Sequence, residues 1–442
     1  MTDKQHRHDS FRSQRAGRVR RGCRIAGIAA ASAGALTLAT SAFMFRFVLD
    51  TQAPLSMMKL VRAGKIPGAK LEGVRRDAAE EARAARWFER VKEPVEVRSE
   101  DGLRLHGWMM PSARGTREND ATGTTTGEAT GSSVSGGTGS GSAAVDEPGI
   151  GDARDIADGD ESSGGTGAPG PRVAKTNAVG AAIADADSIS ANMHATRASV
   201  IHERSRSLLP LSPAHRYAIF CHGYTGKPLE MAKYAYHFAQ RGFVTITSAA
   251  RGHELSEGRY IGMGWLDRRD LMRWISLIVQ ADPHARIVLH GVSMGATEVM
   301  MTAGEPDLPG NVCAAIEDCG FASAWDQFAD NAVSMYHLPQ RWMAMPALAG
   351  MSLFSRRKAG YGFRQASSVA QLAHATVPML FIHGTDDAFV DPRQLDRNVA
   401  ACSSERKERL VVPGAGHAMS ASTDPERYWS TVDRFVSDAL AG

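Results

Sequence analysis

The sequence predicts an α/β fold: a mostly parallel central sheet with helices on both faces, a short helical lid, and an N-terminal membrane-crossing helix. Three observations carry this. From Tyr217 onward, short apolar runs alternate with helical stretches. Ahead of them, two alternating runs flank an Asp-Gly turn. Near the N-terminus lies an uncharged apolar run, Ile25 to Phe45.

The apolar run comes first in the chain. At ~1.5 Å per residue it is long enough for a ~30 Å hydrocarbon core. Residues 1–24 carry Lys4, Arg7, Arg12, Arg15, Arg18, Arg20, Arg21 and Arg24 against Asp3 and Asp9. Basic residues ahead of a span keep that end in the cytoplasm. This predicts a basic cytoplasmic tail at 1–24, a transmembrane signal-anchor at 25–49, and an extracytoplasmic remainder. The alternative is a secreted chain after signal cleavage, with Thr40-Ser41-Ala42 as the small-residue site. The length of the run favours the anchor, whereas Lys59, Arg62, Lys65 and Lys70 beyond it weaken the orientation argument. Residues 50–94 read as a helical connector, rich in Ala, Arg and Glu from Asp77 to Arg90.

The remainder, 95–442, opens with Val95–Arg98 and Leu103–Trp108 around Glu100-Asp101-Gly102, a β-hairpin. Residues 112–210 interrupt it. Gly, Ser, Thr and Ala dominate from about Ser112 to Ser199, aromatics are absent, and such composition cannot offset its ordering entropy. A disordered insertion is expected there, in a loop where length is tolerated. Strands follow at Tyr217–Cys221, Phe243–Ser248, Arg286–His290, Val312–Ile316, Pro378–Ile382 and Arg409–Val412. Helices are expected at Pro228–Arg241, Gly264–Val279, from Met294, and at Asp424–Leu440. Continuous apolar strands alternating with helices imply a sheet covered on both faces.

Composition narrows the partners. The net charge is +3 over 442 residues, which gives no case for nucleic acid. The five cysteines, Cys23, Cys221, Cys313, Cys319 and Cys402, show no CxxC spacing and so no zinc or thioredoxin-type site. Their disulfide status, the oligomeric state and any protein partner are not written in the sequence.

The chemistry centres on Gly291-Val292-Ser293-Met294-Gly295. Such a pattern alone is weak. Here a strand precedes it and a helix follows, so the turn is sharp and the serine hydroxyl projects above the sheet edge, with Gly291 and Gly295 relieving the crowding. A serine needs a base. His417, past the last strand, completes the chain order serine, acid, histidine. His222, His290 and His383 each precede a glycine at a strand end and suit a loop-orienting role, and His253 lies too early in the chain. Asp387 is the first choice of acid and Asp386 the second. Asp318, ending a strand, is a third candidate. Backbone N–H groups of Met294 and Tyr224 are the expected oxyanion donors. Tyr224, Trp325 and Phe389 are candidate pocket residues.

Together, His222-Gly223-Tyr224, the turn at Ser293, His383-Gly384 with Asp387, and Gly414-Ala415-Gly416-His417 resemble the α/β-hydrolase superfamily. Arg251-Gly252-His253-Glu254-Leu255-Ser256-Glu257-Gly258 resembles a loop of bacterial esterases, serine-aminopeptidase-like hydrolases and monoglyceride-lipase-like proteins. Tyr260 to Arg268 resembles a subset of envelope-associated bacterial hydrolases. In that subset the acid falls four residues after the histidine of His-Gly, which implies Asp387 over Asp386. The resemblance covers about Val95–Pro111 and Tyr217–Leu440 and leaves out the insertion. It implies an α/β-hydrolase fold with a cap between Cys319 and Thr376, here rich in Met, Phe, Trp and Leu.

The leading expectation is therefore a membrane-anchored serine esterase acting on a small or lipid-like ester, with no metal or organic cofactor. A peptidase, thioesterase or acyltransferase would use the same three residues, with Glu317 and Asp318 available to a peptidase for holding an amine. A non-catalytic surface binder is the third reading. The physiological ester is not legible.

Overall fold

A computed structural model describes residues 31–63, 65, 75–113 and 209–441. The basic tail, the first part of the apolar run and nearly all of the insertion lie outside them. The predicted hairpin is β1 (Glu93–Arg98) and β2 (Arg104–Met110), antiparallel with Val97 opposite Leu105. The remaining strands are β3 (Arg216–Cys221), β4 (Val244–Ser248), β5 (Arg286–Val292), β6 (Val312–Asp318), β7 (Met379–Gly384) and β8 (Lys407–Val412). Among the described residues these form one sheet in the order β1-β2-β4-β3-β5-β6-β7-β8. The pairings of β2 with β1 and β4 are antiparallel and all others are parallel.

Strands β5, β6 and β7 run about two residues past their predicted ends. Gly291 pairs with Glu317 and Val292 with Asp318, so the ladder continues where the side chains stop being apolar. Backbone pairing does not depend on side-chain polarity. The overrun carries chemistry-bearing residues to the carboxyl edge of the sheet.

Among the described residues, the α-helices of six residues or more are α1 (Ala31–Leu49), α2 (Met57–Arg62), α3 (Ala78–Val91), α4 (Ala232–Gln240) and α5 (Asp267–Ala281). Then come α6 (Met294–Ala303), α7 (Ala324–Tyr336), α8 (Met345–Lys358), α9 (Arg393–Ala401) and α10 (Pro425–Ala441). Helix α5 starts three residues later than expected. Met263 and Gly264 adopt positive φ, and the Gly264 N–H donates to Asp267 Oδ2 at 2.7 Å, which sets a turn there. Pro228–Met231 is a 3₁₀ turn leading into α4.

Alternation along the central strands supplies both faces. Ala218 and Phe220 of β3 join α3, α4 and α10 on one side. Tyr217, Ile219 and Cys221 join α5, α6 and α9 on the other. The segment expected to be only a connector is built into this core. Ala84, Trp87 and Phe88 of α3 are buried against α4, because the Ala/Arg/Glu-rich sequence still puts its few large apolar residues on one stripe. Helices α7 and α8 lie between β6 and β7, where a lid was expected. They pack with the end of α1 in a third apolar cluster.

Candidate active site

Ser293 stands between β5 and α6 at φ 59° and ψ −117°, a conformation an ordinary L-residue avoids. The turn is sharp because backbones meet there. A Cβ on Gly295 would fall 2.1 Å from Cys221 O, and one on Gly291 would fall 2.1 Å from Gly295 O. Only glycine fits either position. The Ser293 N–H donates to Asp318 O at 2.8 Å, fixing the turn to β6.

His417 reaches this point from the loop after β8. Its Nε2 lies 2.8 Å from Ser293 Oγ, and its Nδ1 lies 2.8 Å from Asp387 Oδ2. An ionised carboxylate can only accept, so Nδ1 carries the ring proton and Nε2 accepts from the serine O–H. Asp387 sits in the loop after β7 with its side chain fully buried. Its Oδ1 accepts from the N–H groups of Phe389 at 2.9 Å and Val390 at 2.8 Å. Burial alone would push this carboxyl up. Hydrogen bonds from His383 and His417, and their charge, outweigh burial and hold it below the usual carboxylate range.

Two cavities meet at Ser293. One, of about 620 Å³, has charged groups from Arg75, Glu81, Glu230 and Lys233 and also reaches His417. The other, of about 500 Å³, is walled by apolar side chains of α1, α7 and the lid. Both volumes suit a small-molecule ligand.

A model of the alpha/beta hydrolase family matches residues 218–431. The chain belongs to the α/β-hydrolase superfamily. This α/β-hydrolase is 29% identical over 221 residues to YqkD, an uncharacterized protein of Bacillus subtilis, across 50% of this chain and 70% of that one. Among solved structures it is similar to a Pyrococcus furiosus esterase, at 15% identity, 78% of this chain, 90% of that chain and a TM-score of 0.45. It is also similar to a Pyrococcus horikoshii acylaminoacyl peptidase, at 19% identity, 50% of this chain, 37% of that chain and a TM-score of 0.36.

The other carboxylates considered for this α/β-hydrolase stand apart from His417. Asp386 accepts from the Thr385 hydroxyl at 2.7 Å. Asp318 accepts from the Ser420 hydroxyl at 2.8 Å, and burial pushes its carboxyl up to about 6. Glu317, pushed up to about 8 by burial, accepts the Gly320 N–H at 2.9 Å. Neither Glu317 nor Asp318 lines either cavity, so neither is positioned to hold a substrate amine there. Cys319, Asp387 and His417 bring ligand-type atoms within 4.8 Å of one another. They do not suit a metal: burial holds the Cys319 thiol well up, and both His417 ring nitrogens are already engaged.

Tyr224 and Phe389 line both cavities, and the Phe389 ring lies 4.9 Å from the His417 ring. Trp325 does not line them, which corrects the expectation. It projects from the flank of α7, where the Arg364 guanidinium covers its ring at 3.9 Å. Gln327, Phe328, Asn331, Ala332 and Met335 form the cavity face of that helix instead. Composition marks the lid as apolar but does not give the rotation of a helix about its axis.

The loop after β3 brings Gly223 against the serine: a Cβ there would lie 3.4 Å from Ser293 Cβ. Residues outside the sequence-based selection hold this loop. His253 Nε2–H donates to Tyr224 O at 2.5 Å, and the Tyr224 hydroxyl donates to Val48 O of α1. Arg251 anchors the neighbouring turn through two 2.7 Å bonds to Asp270 and one of 2.9 Å to Asp101. The Arg251–Gly258 motif was the available signal for this scaffold. His383 braces the acid loop, with Nε2 3.0 Å from Val390 O and 3.2 Å from Asp387 Oδ2. From the lid, Gln327 donates to Phe389 O at 2.7 Å.

Proposed function

We propose that the chain is a membrane-attached serine hydrolase that cleaves carboxylic esters through an acyl-enzyme on Ser293. The observation that carries this reading is the continuous hydrogen-bonded chain from Ser293 through His417 to Asp387 at the junction of two ligand-sized cavities. Ser293 Oγ attacks the acyl carbon while His417 Nε2 takes its proton. The buried Asp387 carboxylate remains ionised and stabilises the imidazolium. The N–H groups of Met294, at the positive end of α6, and Tyr224, in the pinned loop, receive the developing oxyanion. Collapse of the tetrahedral intermediate expels the alcohol, which takes the proton from His417. A water then attacks the acyl-enzyme by the reverse route, releasing the acid and restoring the serine.

Helix α1 supports membrane attachment: it has 19 described residues of mean hydropathy 1.4, with only 17% of the window buried. The basic residues 1–24 favour an extracytoplasmic catalytic domain. The test uses a fluorophosphonate probe and p-nitrophenyl butyrate on the full chain. The wild type reacts with both, and Ser293→Ala loses both while its unfolding transition is retained. Undiminished butyrate hydrolysis by Ser293→Ala would exclude the mechanism.

A further inference from the structure

A helix that serves only as a tether needs no side chain near the chemistry, and α1 is not such a helix. Ser41, Phe45 and Leu49, spaced i, i+4, i+8, are buried against the protein. The Ser41 hydroxyl donates to Ala347 O in α8 at 3.0 Å, and the Ile261 N–H donates to Leu49 O at 3.0 Å. A Cβ on Gly350 would come 2.3 Å from Ser41 Oγ, so the two helices are in close contact there. Just beyond the helix, Asp50 pairs with Arg259 at 2.9 Å.

The neighbouring stripe of α1 faces the chemistry. Thr40, Phe43, Met44, Phe47 and Val48 follow an i, i+3, i+4, i+7, i+8 pattern and line the apolar cavity that ends at Ser293. The same cavity is bordered by half-exposed apolar side chains: Phe43 from α1 and Met335, Tyr336 and Met343 from the lid. Trp342 beside them is 69% exposed. Ser41 to Leu49 covers about 13 Å of helix length held on the lid, so the lid follows α1 to the bilayer surface. An exposed tryptophan suits that boundary.

We infer that α1 forms a wall of the acyl site, and that the substrate is a long-chain acyl ester drawn from the lipid phase. The acyl chain lies along α1, and the polar alcohol part lies in the second cavity among Arg75, Glu81, Glu230 and Lys233. This inference rests on the serine hydrolase reading.

Each methylene accommodated in an apolar site is worth about a 4-fold gain in kcat/KM. The experiment measures p-nitrophenyl butyrate, laurate and palmitate on the full chain in detergent micelles. Met44→Trp fills the cavity from α1 and is expected to lower the laurate-to-butyrate ratio of kcat/KM by roughly tenfold or more, the equivalent of two methylenes. Phe47→Ala enlarges it and raises the palmitate-to-laurate ratio by roughly 4-fold. Ala35→Trp, at an exposed position on the opposite side of the same helix, leaves both ratios unchanged. Ratios insensitive to Met44→Trp and Phe47→Ala, or moved equally by Ala35→Trp, would overturn the inference while Ser293-dependent butyrate hydrolysis kept the hydrolase reading standing. Absence of both butyrate hydrolysis and Ser293 labelling in the wild type would end both. The lipid source is tested with a fluorogenic long-chain acylglycerol in phosphatidylcholine vesicles. Protein reconstituted in the same vesicles is expected to hydrolyse it at least tenfold faster than protein in separate vesicles. Equal rates would overturn uptake from the bilayer.

Discussion

Replacing Asp387 by asparagine tests the acid at the centre of the proposed mechanism. The side chain is nearly isosteric, but its hydrogen-bonding options are restricted. One oxygen already accepts two backbone N–H groups, from Phe389 at 2.9 Å and Val390 at 2.8 Å. Turning the new NH₂ toward them would leave buried donors facing a donor, at about 1–3 kcal/mol each. The amide oxygen therefore keeps those bonds, and the NH₂ faces His417 Nδ1. Nδ1 must then accept, which moves the ring proton to Nε2, 2.8 Å from Ser293 Oγ. In that tautomer the ring cannot take the serine proton. The expected loss is about 10⁴-fold in kcat, or roughly 5–6 kcal/mol of transition-state stabilisation. KM for p-nitrophenyl butyrate should change little, because Asp387 does not line either cavity. Steady-state kinetics and thermal unfolding of the same preparation give the answer. Asp386→Asn is the comparison, since that carboxylate bonds the Thr385 hydroxyl and not the imidazole. A folded Asp387→Asn enzyme within tenfold of wild-type kcat would refute the tautomer argument.

Gly295→Ala should destabilise the fold by more than ~2 kcal/mol, lowering Tm by roughly 4–8 °C, because its Cβ would meet the Cys221 and His222 backbone rather than yielding side chains. An unchanged Tm would show that the turn opens freely. Phe88→Ala, at a residue 1% exposed in α3, should cost about 3–5 kcal/mol in denaturant unfolding, whereas a mere connector would lose almost nothing. Burial and nearby positive charge push the His290 imidazole down to about 3, well under the ordinary ~6.5 of the unfolded chain. The unfolded state therefore binds the extra proton first, so this contribution is present above pH ~6.5 and is lost as pH falls toward 3. His290 alone should contribute a decline of up to ~1.4 kcal/mol per pH unit across that window, and His290→Gln should make the profile shallower by that amount. Parallel profiles for the two proteins would exclude His290 as the source.

The sheet was legible because its strands are apolar on both faces and the helices between them keep their own period. The three residues of the hydrogen-bonded chain were legible because each lies in a short loop at the carboxyl edge of a strand, where the chain order and the Gly291–Gly295 pattern constrain it. Contacts with no local signature were not legible. The Tyr224 hydroxyl donates to the backbone carbonyl of Val48, an acceptor that every residue carries. Trp325 and Phe328 sit one turn apart on α7, and only packing decides which ring meets the cavity. Helix α3 looked like a connector because most of its residues are polar. Its core contribution comes from three side chains whose partners lie far along the chain.

The packing of α1 also bears on the choice between anchor and cleaved signal. The small-residue site Thr40-Ser41-Ala42 lies inside a helix, and its middle residue is fully buried with its hydroxyl bonded to Ala347 O. A protease that cuts between small residues needs an extended, accessible backbone, so the docked helix would have to unwind and leave the lid first. Cutting after Ala42 would also remove Thr40 from the cavity wall and free the next turns, Phe43 to Val48, to fray. The Val48 carbonyl that holds Tyr224 would then sit on a loose end, and the loop beside Ser293 would lose a restraint. Retention of the helix is thus tied to the geometry next to the serine. Cleavage engineered after Ala42 in the folded protein should lower kcat/KM for butyrate as well as for laurate. If butyrate hydrolysis survived unchanged, α1 would not be restraining the Tyr224 loop.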